Sequence, residues 1–285
     1  MDILIAALIV AGVALALGIL LAVVSHFFYV PEDPTQQQVR ACLPGVNCGA
    51  CGYTGCDDYA AALAAGGVAP NLCIPGGQTA ADAIGSILGI EAEPCEDKVA
   101  FVACNGHCEA TQTKADYHGL QTCKGASMLY GGEGTCIYGC LGLGDCAVVC
   151  PADAICTVDG IAHVDTSRCI GCGMCAKTCP KGIIQMLPQN TTQVAMCSNK
   201  DKGADARKAC QNACIGCKKC EKSCPNDAIH VADNLASFAY DKCTGCGTCV
   251  DVCPTGCLKT VSFPNLPAGT EAKDLLDMPY DHNNA

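Results

Sequence analysis

The chain contains no tryptophan, aromatic residues make up 5% of it and charged residues only 16%. Without the large side chains that fill most interiors, a broad apolar core is excluded. Basic residues are scarce too. The balance of 17 Lys and Arg against 28 Asp and Glu leaves a formal charge of −11, which argues against a nucleic-acid partner. Catalytic signatures are also missing. No G-x-G-x-x-G follows a strand pattern, no P-loop occurs, and the six His form no H-E-x-x-H pairing. The stretch "GCLGLGDC" is taken up by cysteines. The chain is therefore expected to carry neither an NAD nor a flavin site of its own, and no group-transfer chemistry.

Cysteine is what the chain has in excess: 29 in 285 residues. An odd number cannot all pair within one chain, so disulfides and metal must be told apart by spacing. The run C-x2-C-x2-C-x3-C-P begins at Cys169, Cys214 and Cys243. This is the ferredoxin pattern for [4Fe-4S] clusters, in which three close thiolates serve one cluster and the fourth, turned away by its proline, serves the neighbour. The second pair of runs then assigns Cys214, Cys217, Cys220 and Cys253 to one cluster, and Cys243, Cys246, Cys249 and Cys224 to another. In the first pair, Cys169, Cys172 and Cys175 combine with Cys150. The other half departs from the pattern: Cys136-x3-Cys140-x5-Cys146-x3-Cys150-Pro151 reads as a lengthened loop with Cys179 as fourth ligand.

Nearer the N-terminus, Cys48, Cys51 and Cys56 are followed by an Ala-rich helical pattern and then Cys73, an isolated group of four. Zinc is the competing reading of C-x2-C pairs; it calls for two separated pairs round one ion, unlike the ferredoxin runs, whereas the isolated group of four suits either metal. Five [4Fe-4S] clusters are expected. A sixth would form if the duplicated halves packed about a pseudo-twofold axis and joined Cys104, Cys123, Cys197 and Cys210. Cys108 is a substitute ligand there, and unbound thiols are the rival reading.

Five segments follow. Residues 3–24 carry no charge, and at about 1.5 Å per residue they would cover a roughly 30 Å hydrocarbon layer, so residues 1–28 read as a transmembrane anchor. Residues 29–94 form a stalk and the isolated cluster domain. Residues 95–190 form the first ferredoxin-like module with a preceding Cys-containing loop, residues 191–262 the second module, and residues 263–285 an acidic tail. Turn signals at Asp159-Gly160 and Asp233-Asn234 mark equivalent hairpins in an internal duplication. The expected class is thus α+β: one N-terminal transmembrane helix, a small α-rich [4Fe-4S] domain and two bacterial 2[4Fe-4S] modules. Reduced thiols would put the cluster domains on the cytoplasmic side.

Basic residues gather in one place. Lys200, Lys202, Arg207, Lys208, Lys218, Lys219 and Lys222 lead into the first cluster loop of the second module, where they could steer an acidic electron carrier. A solvated charged loop is the alternative.

The order of apolar segment, "LPGVNCGACGYTGC" with its later cysteine, and paired ferredoxin runs resembles the B subunit of Rnf complexes over essentially the whole chain, in the long form with two modules. The resemblance implies a single-pass subunit of the bacterial cytoplasmic membrane. It would accept electrons from soluble reduced ferredoxin and pass them to other Rnf membrane and peripheral subunits, which reduce NAD and move Na⁺ or H⁺. Rival readings are electron delivery to nitrogenase or a redox-sensing regulator and, from a different class, a cluster-assembly scaffold.

Overall fold

The computed structural model describes residues 2–27, 33–95 and 97–263. Helix α1 (Asp2–Phe27) is formed as expected, but its reading as a membrane anchor needs correction. Among the described residues, no helix is long and apolar enough to cross a membrane. The transmembrane part of the expected fold class is therefore not supported. The start of the stalk (29–32) and all but the first residue of the acidic tail lie outside the described residues.

Three helices make the first small domain. Asp33 caps α2 (Pro34–Cys42) by accepting a hydrogen bond from the Thr35 N–H at 2.8 Å, and Pro34 presets the first turn. Next come α3 (Cys56–Ala65), a 3-10 turn (Ile74–Gly76) and α4 (Gly77–Leu88). Their apolar faces meet around Val39, Tyr59, Leu63 and Ile84. Tyr59 ties the loop after α3 to this core: its hydroxyl donates to the Ala69 carbonyl at 2.7 Å and accepts from the Leu72 N–H at 3.3 Å. Burial pushes its pKa up to about 12, so it stays a donor at any ordinary pH. Tyr59→Phe strands both backbone groups and should cost about 1–3 kcal/mol. Thermal unfolding of the anaerobic protein, read at the α3 signal, checks this; an unchanged midpoint would refute it.

The rest is one pattern used twice. The first copy runs through β1 (Lys98–Val102), α5 (Cys123–Ser127), α6 (Asp145–Val148), β2 (Ile155–Val158), β3 (Ile161–Val164), α7 (Met174–Thr178) and β4 (Ile184–Pro188). The second has β5 (Gln193–Ala195), α8 (Gly203–Ala209), α9 (Lys219–Ser223), β6 (Ile229–Ala232), β7 (Leu235–Phe238), α10 (Thr248–Asp251) and β8 (Leu258–Thr260). In each copy the outer strands pair antiparallel, β1 with β4 and β5 with β8, and the inner two form a hairpin. The expected turns are there. Asp159 and Gly160 have φ of 50° and 79°, and Asp233 and Asn234 have 48° and 60°, the positive pair that a tight right-twisted hairpin requires.

Equivalence extends to single bonds. The Ala103 N–H donates to the Ile183 carbonyl at 2.9 Å, and the Met196 N–H to the Cys257 carbonyl at 2.8 Å. A side chain on Gly142 would strike the Gly160 carbonyl, and one on Gly216 would crowd that of Asn234. The two copies lean on each other through Phe101, Ala103, Leu187, Val194 and Met196. Hydrogen bonds cross the same seam, from Ser198 Oγ to the Ala103 carbonyl (2.9 Å) and from the Gln211 N–H to the Ala110 carbonyl (2.8 Å).

Candidate metal centres

All 29 cysteines are free thiols, and most point into small cavities that the short helices and loops leave open. In the first domain, Cys48, Cys51, Cys56 and Cys73 line one cavity of about 310 Å³. Asn47 accepts a hydrogen bond from the Cys56 N–H at 2.8 Å, which fastens the cysteine loop to the start of α3.

The second module follows its spacing. Cys214, Cys217, Cys220 and Cys253 share a cavity of about 320 Å³, and Cys224, Cys243, Cys246 and Cys249 share one of about 300 Å³. The exchange of fourth cysteines has a local cause. Cys224 ends α9 in an extended conformation (φ −76°, ψ 118°) just before Pro225, so the chain leaves its own loop for the neighbouring one. Cys257, which spacing left without a role, stands in the wall of the first of these cavities. Its thiol hydrogen-bonds to Cys214 and Cys253, which lowers their pKa values to about 6 and about 4 while its own is raised. Thiolate is the form that binds iron, and these bonds favour it at both neighbours.

In the first module, Cys150, Cys169, Cys172 and Cys175 stand together. Burial raises Cys175 to about 11, and the charges of Cys169, Cys172 and Cys150 add to it. Cys172 also feels Cys48, so this group abuts that of the first domain. The contact is fixed by Lys177 Nζ, which donates to the Gly49 carbonyl at 3.0 Å.

The irregular half differs from expectation. The cavity of about 340 Å³ that holds Cys140, Cys146 and Cys179 is completed by Cys123, and Cys136 is not in it. Superposing the duplicates explains this. Cys140-x2-Leu143-x2-Cys146-x3-Cys150-Pro151 matches Cys214-x2-Cys217-x2-Cys220-x3-Cys224-Pro225 residue for residue. The loop is of ordinary length, with Leu143 in place of its middle cysteine, and Cys123 enters from outside. Asp145 brings it there: its carboxylate accepts from the N–H groups of Cys123 (2.9 Å) and Lys124 (3.0 Å), at the start of α5. Cys136 instead lines a cavity of about 450 Å³ between the modules with Cys104, Cys197 and Cys210. The residues 140–150, laid against 214–224, carried the signal that would have found this.

The donor sets fit a polynuclear group. Four of the groups line a common space with four sulfurs each, a donor set that suits a [4Fe-4S] cluster. The basic side chains at positions 200, 202, 207, 208, 218, 219 and 222 are all exposed, and Cys217 is exposed beside them.

Comparison with known families agrees with this chemistry. An Fe-S cluster model matches residues 43–75, a 4Fe-4S binding domain residues 162–185 and a 4Fe-4S dicluster domain residues 208–260. The B subunit of the Na(+)-translocating ferredoxin:NAD(+) oxidoreductase complex of Acetobacterium woodii is 44% identical over 230 residues, 80% of this chain and 69% of that protein. Its proton-translocating counterpart in Clostridium ljungdahlii is 43% identical over 79% of this chain and 80% of its own length. The B subunit of the ion-translocating oxidoreductase complex of Methanosarcina acetivorans is 40% identical over 82% and 89%. Identity at this level across most of both chains, on top of the cysteine pattern, means that the chain belongs to the family of B subunits of Rnf-type ferredoxin:NAD(+) oxidoreductase complexes.

Proposed function

We propose that this Fe-S protein takes electrons from soluble reduced ferredoxin at its second module and passes them through the first module and the small domain to other subunits. These would reduce NAD⁺ and move Na⁺ or H⁺. The observation that carries the reading is the set of four-sulfur groups, of which one in the first module abuts that of the small domain across the Lys177–Gly49 contact. Bound [4Fe-4S] clusters would supply one-electron chemistry without making or breaking substrate bonds. The holding residues would be Cys48, Cys51, Cys56 and Cys73; Cys150, Cys169, Cys172 and Cys175; Cys123, Cys140, Cys146 and Cys179; Cys214, Cys217, Cys220 and Cys253; and Cys224, Cys243, Cys246 and Cys249.

The protein's own part is to hold these thiols in place, most of them buried or half-buried. Cys217 and Cys246 are exposed. The exposure of Cys217 beside Lys218 and Lys219 suits an entry point, where fixed positive charge offsets the repulsion between an acidic carrier and a chain of net charge −11. Free thiols throughout support a reducing compartment for these modules, the cytoplasm.

Rapid mixing of the anaerobic, fully loaded chain with reduced ferredoxin tests the proposal. The visible sulfur-to-iron absorption should bleach with a second-order rate. Bleaching by dithionite but not by ferredoxin would sink it.

A further inference from the structure

We propose that Cys104, Cys136, Cys197 and Cys210 bind a sixth [4Fe-4S] cluster at the seam between the two modules. The proposal rests on reading the other five groups as [4Fe-4S] sites, but its ligand set comes from separate observations.

The first is position. All four sulfurs face one cavity of about 450 Å³, and all but Cys136 are buried. Cys140 borders the same space, yet its duplicate Cys214 belongs wholly to its own module's cavity, which assigns Cys140 likewise.

The second is symmetry. Cys104 follows β1 as Cys197 follows β5, with matching backbone bonds one residue earlier. Cys136-x3-Cys140 repeats as Cys210-x3-Cys214. The site is thus two equivalent pairs, one from each copy, meeting about the pseudo-twofold axis. Cys123 belongs to neither pair and stands at α5.

The third is the polar surroundings of the sulfurs. The N–H groups of Gly106 and Cys140 donate to Cys104 Sγ, each at 3.4 Å. Those of Asn199 and Cys214 donate to Cys197 Sγ at 3.4 and 3.3 Å. The Asn199 side chain, 1% exposed, reaches Cys136 Sγ at 3.5 Å. Donors of this kind stabilise thiolate charge. The same bonds occur at Cys150, Cys169 and Cys224, where an N–H lies 3.3 to 3.4 Å from sulfur. Four unmetallated thiols would give these converging donors little to stabilise.

The location gives the site its purpose. Its two flanking backbone donors, Cys140 and Cys214, belong to the facing groups of the first and second modules. A cluster here would join the modules into one uninterrupted series.

Native mass spectrometry of the anaerobic full chain, with iron and sulfide assays, tests this. The wild type should saturate at six [4Fe-4S] units, and Cys136→Ser should lose one, about four irons. Cys104→Ser/Cys136→Ser should lose no more than the single variant, because both serve one site. Cys123→Ser/Cys136→Ser should lose two units, about eight irons. A wild type that saturates at five, a full complement in Cys136→Ser, or one zinc per chain would overturn the sixth site alone. A wild type without any cluster would overturn the five-site reading as well. The wild-type count decides the matter even if a variant fails to fold.

Discussion

Cys123→Ala is expected to remove about four irons per chain, and adding Leu143→Cys to the same chain should return them. The rescue follows from the duplication. Leu143 occupies the place that Cys217 holds in the second module, between Cys140 and Cys146 at the x2 spacings of an intact ferredoxin run. A thiol there would restore the local triplet and make the outside ligand dispensable. Cys136→Ala should also lose about four irons, but Leu143→Cys should not repair it, because Cys136 faces the seam cavity. Iron and sulfide per chain, with electron paramagnetic resonance of the reduced protein, read the result. Equal rescue of both alanine variants would return Cys136 to the group of Cys140, and rescue of neither would dismiss the equivalence of Leu143 and Cys217.

The second large effect concerns docking. Lys218→Glu, Lys219→Glu and Lys222→Glu together should slow ferredoxin-driven reduction about 10- to 100-fold at low ionic strength and flatten its salt dependence, since steering of opposite charges acts on the association rate. A small neutral dye should reduce the variant at the wild-type rate. Lys218 has a further peculiarity. It sits at φ 58° just before α9, where the matching positions are Gly144, Gly173 and Gly247. A lysine in the left-handed region costs roughly 1–2 kcal/mol against glycine, so the fold alone favours glycine there. Lys218→Gly should therefore raise stability slightly and still slow ferredoxin, a combination that a purely structural role would not produce. Unchanged ferredoxin kinetics in the triple variant, with all clusters present, would remove the patch from the mechanism. The ion pair of Lys218 with Glu221, 3.7 Å apart and exposed on the lysine side, is too weak to explain a large change.

Much of this protein is set locally and can be read along the chain. Four cysteines in a C-x2-C-x2-C-x3-C-P run define a loop whose turns, proline and short helix are all close in sequence, so the groups of the second module follow from spacing alone. The two hairpins are equally local, because Asp159-Gly160 and Asp233-Asn234 adopt positive φ at little cost. Even the exchange of Cys224 and Cys253 is written in the prolines that follow them.

What the chain could not announce is which distant thiol fills a gap. With Leu143 in place of a cysteine, counting cysteines alone turned Cys136 into a loop member and left Cys123 for the seam. Only the fold, through the Asp145 carboxylate that fastens the start of α5, brings Cys123 to Cys140, Cys146 and Cys179. Cys104, Cys136, Cys197 and Cys210 likewise become neighbours only when β1 and β5 carry the two copies against each other. Their meeting depends on packing between segments far apart along the chain, and contacts of that range leave no periodic mark in the sequence.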